Sequence, residues 1–216
     1  MNSRQVILYA VLCAGFMATL PFTPYDLSFL PKVLPILLLV WLVNAHANFR
    51  GRWLLLFALV CSGAGDVILE FRYGGAFIAG LVSFLVAHLF YIRLMLISPS
   101  REPNRYVFAL PVFVPPALVA ALLWPRLGPM QVPVVVYVAV ISTMLYTSLT
   151  RVSLNGALVA GAAAFVVSDA VLAINKFYST FAEARYIIML TYYLAQLLLV
   201  RGFLPGKSHF QPVSVR

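Results

Sequence analysis

The sequence predicts an all-α protein that crosses a membrane about eight times. Three observations carry that prediction. Of its 216 residues, 63% are hydrophobic and only 10% charged, whereas a soluble domain carries nearer ~25% charged residues. Mean hydropathy is +0.97. Finally, apolar runs of the length that spans hydrocarbon, ~20 residues at 1.5 Å each, recur from end to end with short polar punctuation between them. The connections are too short to house a separate domain, so one transmembrane domain over residues 1–216 is expected, with function inside the membrane or at its surface.

The elements follow in order. The first span, 5–20, has one positive charge before it and could be mistaken for a signal peptide. "MATLPF" is a poor small-x-small cleavage site and more spans follow, so a retained helix is expected. "PFTPYD" ends it, and 28–45 forms the second span, closed by "NFRGR". The third, 53–70, stops at "RYGG"; the fourth, 76–97, runs into "SPSREPNR". The fifth and sixth, 106–124 and 130–149, are separated by "WPRLGP". The seventh, 154–174, opens after "TRVSLNG", and "KFYSTFAEAR" divides it from the eighth, 186–204. Each break supplies the Pro, Gly or charge that stops a helix. Cys13 and Cys61 both lie within apolar runs and read as small buried hydrophobes.

Lys and Arg orient these spans. The side holding the N-terminus has Arg4, Arg50, Arg52, Arg93, Arg101, Arg105, Arg151, Arg201, Lys207 and Arg216, ten in all, against Lys32, Arg72, Arg126, Lys176 and Arg185, five, opposite. The positive-inside rule then places both termini in the cytoplasm, and the expected location is the bacterial inner membrane. The net charge of +9 is cytoplasmic flank charge facing membrane lipids, with none of the aromatic-interleaved basic stripes of nucleic-acid binders. Nothing in the sequence indicates an oligomeric state.

Comparison of the chain with itself pairs "SGAGDVILEF" (62–71) with "VVSDAVLAINKF" (166–177), and "AHLFYIR" (87–93) with "AQLLLVR" (195–201). Order and spacing agree, which predicts two parallel four-helix repeats, 1–105 and 106–216. Apolar runs align easily by chance; the matching polar positions argue for duplication.

Span direction converts position into depth. Asp66 and Asp169 both fall just inside the non-cytoplasmic end, level with Lys32. Tyr192, Tyr193 and Gln196 lie one to two turns further in, and His88 somewhat deeper. Ser62, Asp66 and Glu70 step by four, His88 and Tyr91 by three, Tyr192 and Gln196 by four, and Asp169 and Lys176 by seven, so each set forms one helical stripe. A charged side chain costs ~2.5–3.5 kcal/mol at mid-membrane, so these stripes should face the bundle interior or a hydrated cavity. Gly156, Ala160, Ala164 and Ser168 make a small-residue ridge expected to admit a neighbouring helix closely.

Structural alternatives compete with a site. Asp169 could form an ion pair with Lys176 or Lys32. His88 could be a core histidine, and Tyr192 and Tyr193 could be interfacial belt residues. No G-x-S-x-G, H-E-x-x-H or Walker A sequence occurs, which excludes the common serine, zinc and nucleotide classes. His46 and His209 fall at or beyond the cytoplasmic surface, so no zinc-binding histidine set, and no metal or cofactor, is expected.

"PKVLPILLLV" (31–40), "SGAGDVIL" (62–69), "AHLFY" (87–91), "VVSDAVLAINKF" and "TYYLAQLLLV" (191–200) resemble, in order, the signature segments of the YhhN family, the lysoplasmalogenases. The resemblance implies an eight-helix hydrolase that cuts the vinyl ether bond of lysoplasmalogens, a class of lysophospholipid. It places the family's polar positions on Lys32, Asp66, His88, Tyr91, Asp169, Asn175, Lys176, Tyr193 and Gln196. Asp66 and Asp169 are the expected catalytic pair; Lys32 or Lys176 would bind the phosphate; Tyr192, Tyr193, Gln196 and His88 would position water or the ether oxygen. A proton-coupled transporter or lipid-binding protein is the competing class, because parallel repeats with buried acids serve exchange as well.

Overall fold

The computed structural model describes residues 1–23, 25–71 and 74–204, and among these every regular element is helical. Arg72, Lys207, His209 and Arg216, which entered the expectations about charge, histidines and termini, lie outside the described residues. The helices are α1 (Ser3–Thr19), α2 (Phe29–His46), α3 (Arg52–Glu70), α4 (Ala76–Met95), α5 (Pro103–Ala109), α6 (Val114–Leu127), α7 (Gln131–Leu149), α8 (Gly156–Phe177) and α9 (Ala184–Phe203). Seven helical stretches are long and apolar enough to cross a membrane; the protein is a multi-pass membrane protein. One of the seven, 47 residues from Pro103 to Leu149, would measure about 70 Å if straight, more than twice the hydrocarbon thickness. It folds back on itself. Gly128 takes a positive φ of 50° at the bend, a conformation that side chains resist. The return brings the ring of Phe113 to 5.6 Å from that of Tyr146. The stretch therefore supplies two passes.

The first of those two passes departs from a single helix over 106–124. Residues 110–113 form a 3-10 turn between α5 and α6. Pro111, Pro115 and Pro116 lack the amide hydrogen that a continuous α-helix needs, so the backbone tightens there instead. At the end of the bundle opposite Asp66 and Asp169 a short loop pairing joins the α4–α5 and α7–α8 connections: Ser100 N donates to Thr150 O at 2.7 Å and Val152 N to Ser98 O at 3.0 Å. Arg151 Nη1 donates to Met95 O at 2.9 Å.

The closest packing occurs between α3 and α4 and between α8 and α9. In the second pair the contact is not the predicted ridge, since Gly156 and Ala160 are exposed. The buried face is Leu158, Gly161, Ala162, Phe165 and Ser168. Small residues occur on both sides of this helix and the bulk of Leu158 and Phe165 picks the inner side, so the predicted ridge joins the buried face at Ser168, with Ala164 half-buried beside it. A Cβ at Gly161 would lie 3.0 Å from Leu199 N and 3.1 Å from Ala195 O, which are backbone atoms that cannot swing away. Gly161→Val should therefore destabilise the fold by about 1–3 kcal/mol, read as a lowered unfolding midpoint in detergent, while Ala160→Val on the lipid side stays near wild type. Equal midpoints for the two variants would contradict this packing.

Candidate active site

Six helices, α2, α3, α4, α7, α8 and α9, deliver polar side chains to one end of the bundle. Asp66 lies one turn before the end of α3, Asp169 two turns before the end of α8, and Lys32 in the first turn of α2. Tyr192 of α9 and His88 of α4 enter from deeper positions. Local helix geometry alone places Asp66 and Glu70 on one face, and burial of that face turns both carboxylates inward.

Asp66 is almost fully buried. Its Oδ2 accepts from Tyr192 Oη at 2.6 Å, and its Oδ1 lies 3.8 Å from Lys32 Nζ. Lys32 also donates to the Asp66 carbonyl at 3.1 Å and meets Glu70 Oε2 at 3.4 Å. Glu70 in turn accepts from Ser28 Oγ at 3.0 Å and pairs with Arg185 at 3.4 Å. Arg185 donates to Thr23 as well. A buried charge is costly unless paired, and here two cations and two carboxylates satisfy one another.

Asp169 has different company. Its Oδ2 accepts from Tyr137 Oη at 2.6 Å, and His88 Nε2 stands 3.4 Å away. Tyr137 Oη and His88 Nε2 are themselves 3.1 Å apart. His88 is fully buried and its Nδ1 has no partner. The tautomer carrying the proton on Nε2 satisfies this geometry best, because it leaves only a lone pair unmatched at Nδ1. Asp169 then receives two donors at one oxygen.

Both aspartates line the same cavity, about 430 Å³ in volume and within the ~300–1,000 Å³ range of ligand pockets. Lys32, Glu70, Lys176, Arg185, Ser168 and Asn175 line it too. Neither aspartate pairs with Lys176, and Asp169 does not pair with Lys32; of the two expected ion-pair partners, Lys32 goes to Asp66 instead. Lys176 makes no ion pair among the described residues; its Nζ sits 5.3 Å from the centre of the Phe77 ring. Asn175 Oδ1 accepts from Phe181 N at 3.2 Å, bracing the α8–α9 loop at the rim.

Four nominated residues lie outside the cavity lining: His88, which stands behind Asp169, and Tyr91, Tyr193 and Gln196. Tyr91 Oη donates to Gln196 Oε1 at 2.6 Å, a buried tie between α4 and α9. Tyr193 Oη donates to Lys32 O at 2.7 Å and its own carbonyl accepts from Tyr9 Oη at 2.8 Å, so it fixes the start of α2 and with it the lysine. Sequence reasoning passed over Tyr137, Glu70 and Arg185. Glu70 was legible as the third member of the Ser62, Asp66, Glu70 stripe. Tyr137 is the lone phenol in "VPVVVYVAV" (132–140), and nothing local distinguishes it from a core aromatic.

A sequence profile of the YhhN family matches residues 27–203. Among curated proteins, lysoplasmalogenase TMEM86A of Homo sapiens is 34% identical over 95% of this chain and 90% of its own length. Lysoplasmalogenase TMEM86B of Mus musculus is 37% identical over 86% and 80%, and the lysoplasmalogenase of Mycobacterium tuberculosis 31% over 76% and 65%. No solved structure gives a significant match.

Proposed function

The chain belongs to the YhhN family, and from that premise we propose that it is a lysoplasmalogenase working by aspartate acid–base catalysis. The substrate is a lysophospholipid with a vinyl ether, and the products are a fatty aldehyde and the glycerophospho-headgroup. One observation carries the catalytic part: two aspartates from α3 and α8 open onto one cavity that also holds three cations.

Vinyl ether hydrolysis begins with proton transfer to the alkene carbon remote from oxygen. The resulting oxocarbenium ion takes up water, and the hemiacetal collapses to aldehyde and alcohol. Asp66 serves as the acid. Tyr192 and Lys32 face its carboxyl and stabilise the carboxylate left when the proton departs. Asp169, already receiving Tyr137 and His88, serves as the carboxylate that stabilises the cation and takes a proton from the attacking water, in the manner of glycosidase carboxylate pairs. Lys176, with no ion-pair partner among the described residues, and Arg185, whose side chain stays partly exposed beyond its pair with Glu70, bind the phosphate. Lys32 is occupied by Asp66 and Glu70 and holds the acid in place.

The transporter alternative loses ground because α3 and α8 run unbroken through their aspartates, whereas transporter sites use helices unwound at mid-span. Two parallel halves, 1–105 and 106–216, remain part of this reading. Its support is reciprocal contact: Asp169 is met by His88 from the fourth span, and Asp66 by Tyr192 from the eighth.

Mass spectrometry of purified protein incubated with a lysoplasmalogen should detect the aldehyde; its absence with folded protein would overturn the activity. Tyr137→Phe removes one hydrogen bond to a charged group, worth ~1.5–3 kcal/mol, and should lower kcat about 10- to 100-fold with little change in KM. Unchanged kcat would remove Tyr137 from the machinery. For orientation, the Lys/Arg bias puts both termini in the cytoplasm of the inner membrane. Reporter fusions active only outside the cytoplasm at either end would reverse the depth assignments.

A further inference from the structure

A second, apolar cleft adjoins the catalytic cavity, and nothing above uses it. Its walls come from α4, α6, α7 and α8 with Leu69 of α3, and its volume is about 60 Å³. Its only ionisable side chains are Asp169 and Tyr137, already hydrogen-bonded to each other. The two spaces share a wall of Asp169, Leu69, Phe77, Phe84 and Leu172. A ligand that crosses this junction changes from charged to wholly apolar surroundings at the aspartate.

The cleft is also a seam between cores. Leu123, Leu127 and Val134 form a small buried cluster, with Val119 and Ala173 packed against it, separate from the main core. Helix α6 packs on α7 and α8 but makes at most marginal contact with α4, although both line the cleft. The wall between α4 and α6 is thus loosely joined on the bilayer side of the cleft.

We propose that this cleft is the hydrocarbon subsite, taking a single unbranched chain that enters from the bilayer between α4 and α6. The inference rests on the lysoplasmalogenase reading for the identity of the bond, but not for the occupancy of the cleft. With the chain in the cleft and the phosphate near Lys176 and Arg185, the bond joining chain to glycerol lies at the junction, beside Asp169. The narrowness of the cleft admits one chain, and beyond the shared wall the catalytic cavity is lined by Lys32, Asp66, Glu70, Lys176 and Arg185, with Ile188 and Met189 as its only further aliphatic side chains among the described residues. A two-chain phospholipid therefore has nowhere to put its second chain. That accounts physically for a one-chain substrate, with Ala120, Ala170 and Ala173 setting the width.

The test uses the full-length protein in nanodiscs with a saturated alkyl-ether lysophosphocholine bearing a mid-chain diazirine, which cannot be hydrolysed by alkene protonation. Photolysis and peptide mapping should place adducts on cleft residues of α6, α7 and α8, such as Val119, Val138 and Ala173. Ala173→Trp and, from the opposite wall, Ala120→Phe should each abolish those adducts. In turnover assays each should lower the ratio of long-chain to truncated-chain vinyl ether cleavage at least tenfold. Adducts confined to lipid-facing residues such as Phe108 and Val132, or a ratio unchanged in whichever variant folds, would overturn the subsite. Cleft adducts in a wild-type protein that releases no aldehyde would leave the subsite standing and remove the activity.

Discussion

Asp66→Asn and Asp169→Asn should each lower turnover by about 10²- to 10⁴-fold, the range that a positioned acid or base contributes, and the double variant should be little worse than either single one. Residues that act as one unit are non-additive in this way, since loss of either member already disables the step the other serves. Asparagine is nearly isosteric with aspartate and can still accept from Tyr192 or Tyr137, so both hydrogen bonds at 2.6 Å can persist. Asp66 carries the proton it donates, so Asp66→Asn keeps a neutral group beside Lys32 in the resting protein and loses the countercharge only after the proton would have left. Glu70, 3.4 Å from Lys32 Nζ, still offers a countercharge. Detergent-stable monodisperse protein is the necessary control. Folded single variants with near-wild-type turnover would demote both aspartates to structural partners, and additive losses would show them acting on separate steps.

Bond specificity should be nearly absolute. Among three matched lysolipids, the vinyl ether should be cleaved, while the acyl ester and the saturated alkyl ether should release no product above background. The alkyl ether has no alkene carbon to protonate. Ester hydrolysis would need an activated nucleophile and donors aimed at an oxyanion. Among the described residues the one serine or threonine lining the cavity is Ser168, and its Oγ donates to the Ile188 carbonyl at 3.1 Å. On the proposed mechanism proton transfer to carbon is the slow step, so heavy water should reduce the rate severalfold. Headgroup exchange should alter KM more than kcat, since Lys176 and Arg185 touch only the phosphate. Fatty acid release from the ester at a rate comparable with aldehyde release would contradict carbon protonation and indicate an ordinary lysophospholipase.

The membrane topology was legible because it depends on local quantities. Hydropathy over ~20 residues and the position of Pro, Gly and charge decide where a span begins and ends, and the seven apolar helical stretches follow from them. Helical periodicity likewise put Asp66 and Glu70 on one face, and the directions of the spans brought Asp66, Asp169 and Lys32 to one level.

Partners depended on something no single segment contains: the rotation of each helix about its own axis. That rotation is set by packing, for instance where Gly161 admits the backbone of α9 at Ala195. It gives Lys32 to Asp66 rather than to Asp169. It turns Tyr137 of α7, one aromatic in a run of valines, onto Asp169, and turns Tyr91 and Gln196 toward each other and away from the cavity. The proline-broken fifth span and the apolar seam beside α6 arise similarly, from which helices touch and which do not. The sequence alone determined that acids would be buried at one end of a bundle, because burying charge in lipid leaves few alternatives; only the tertiary structure decided which donor faces which carboxylate, because that choice is made between helices distant along the chain.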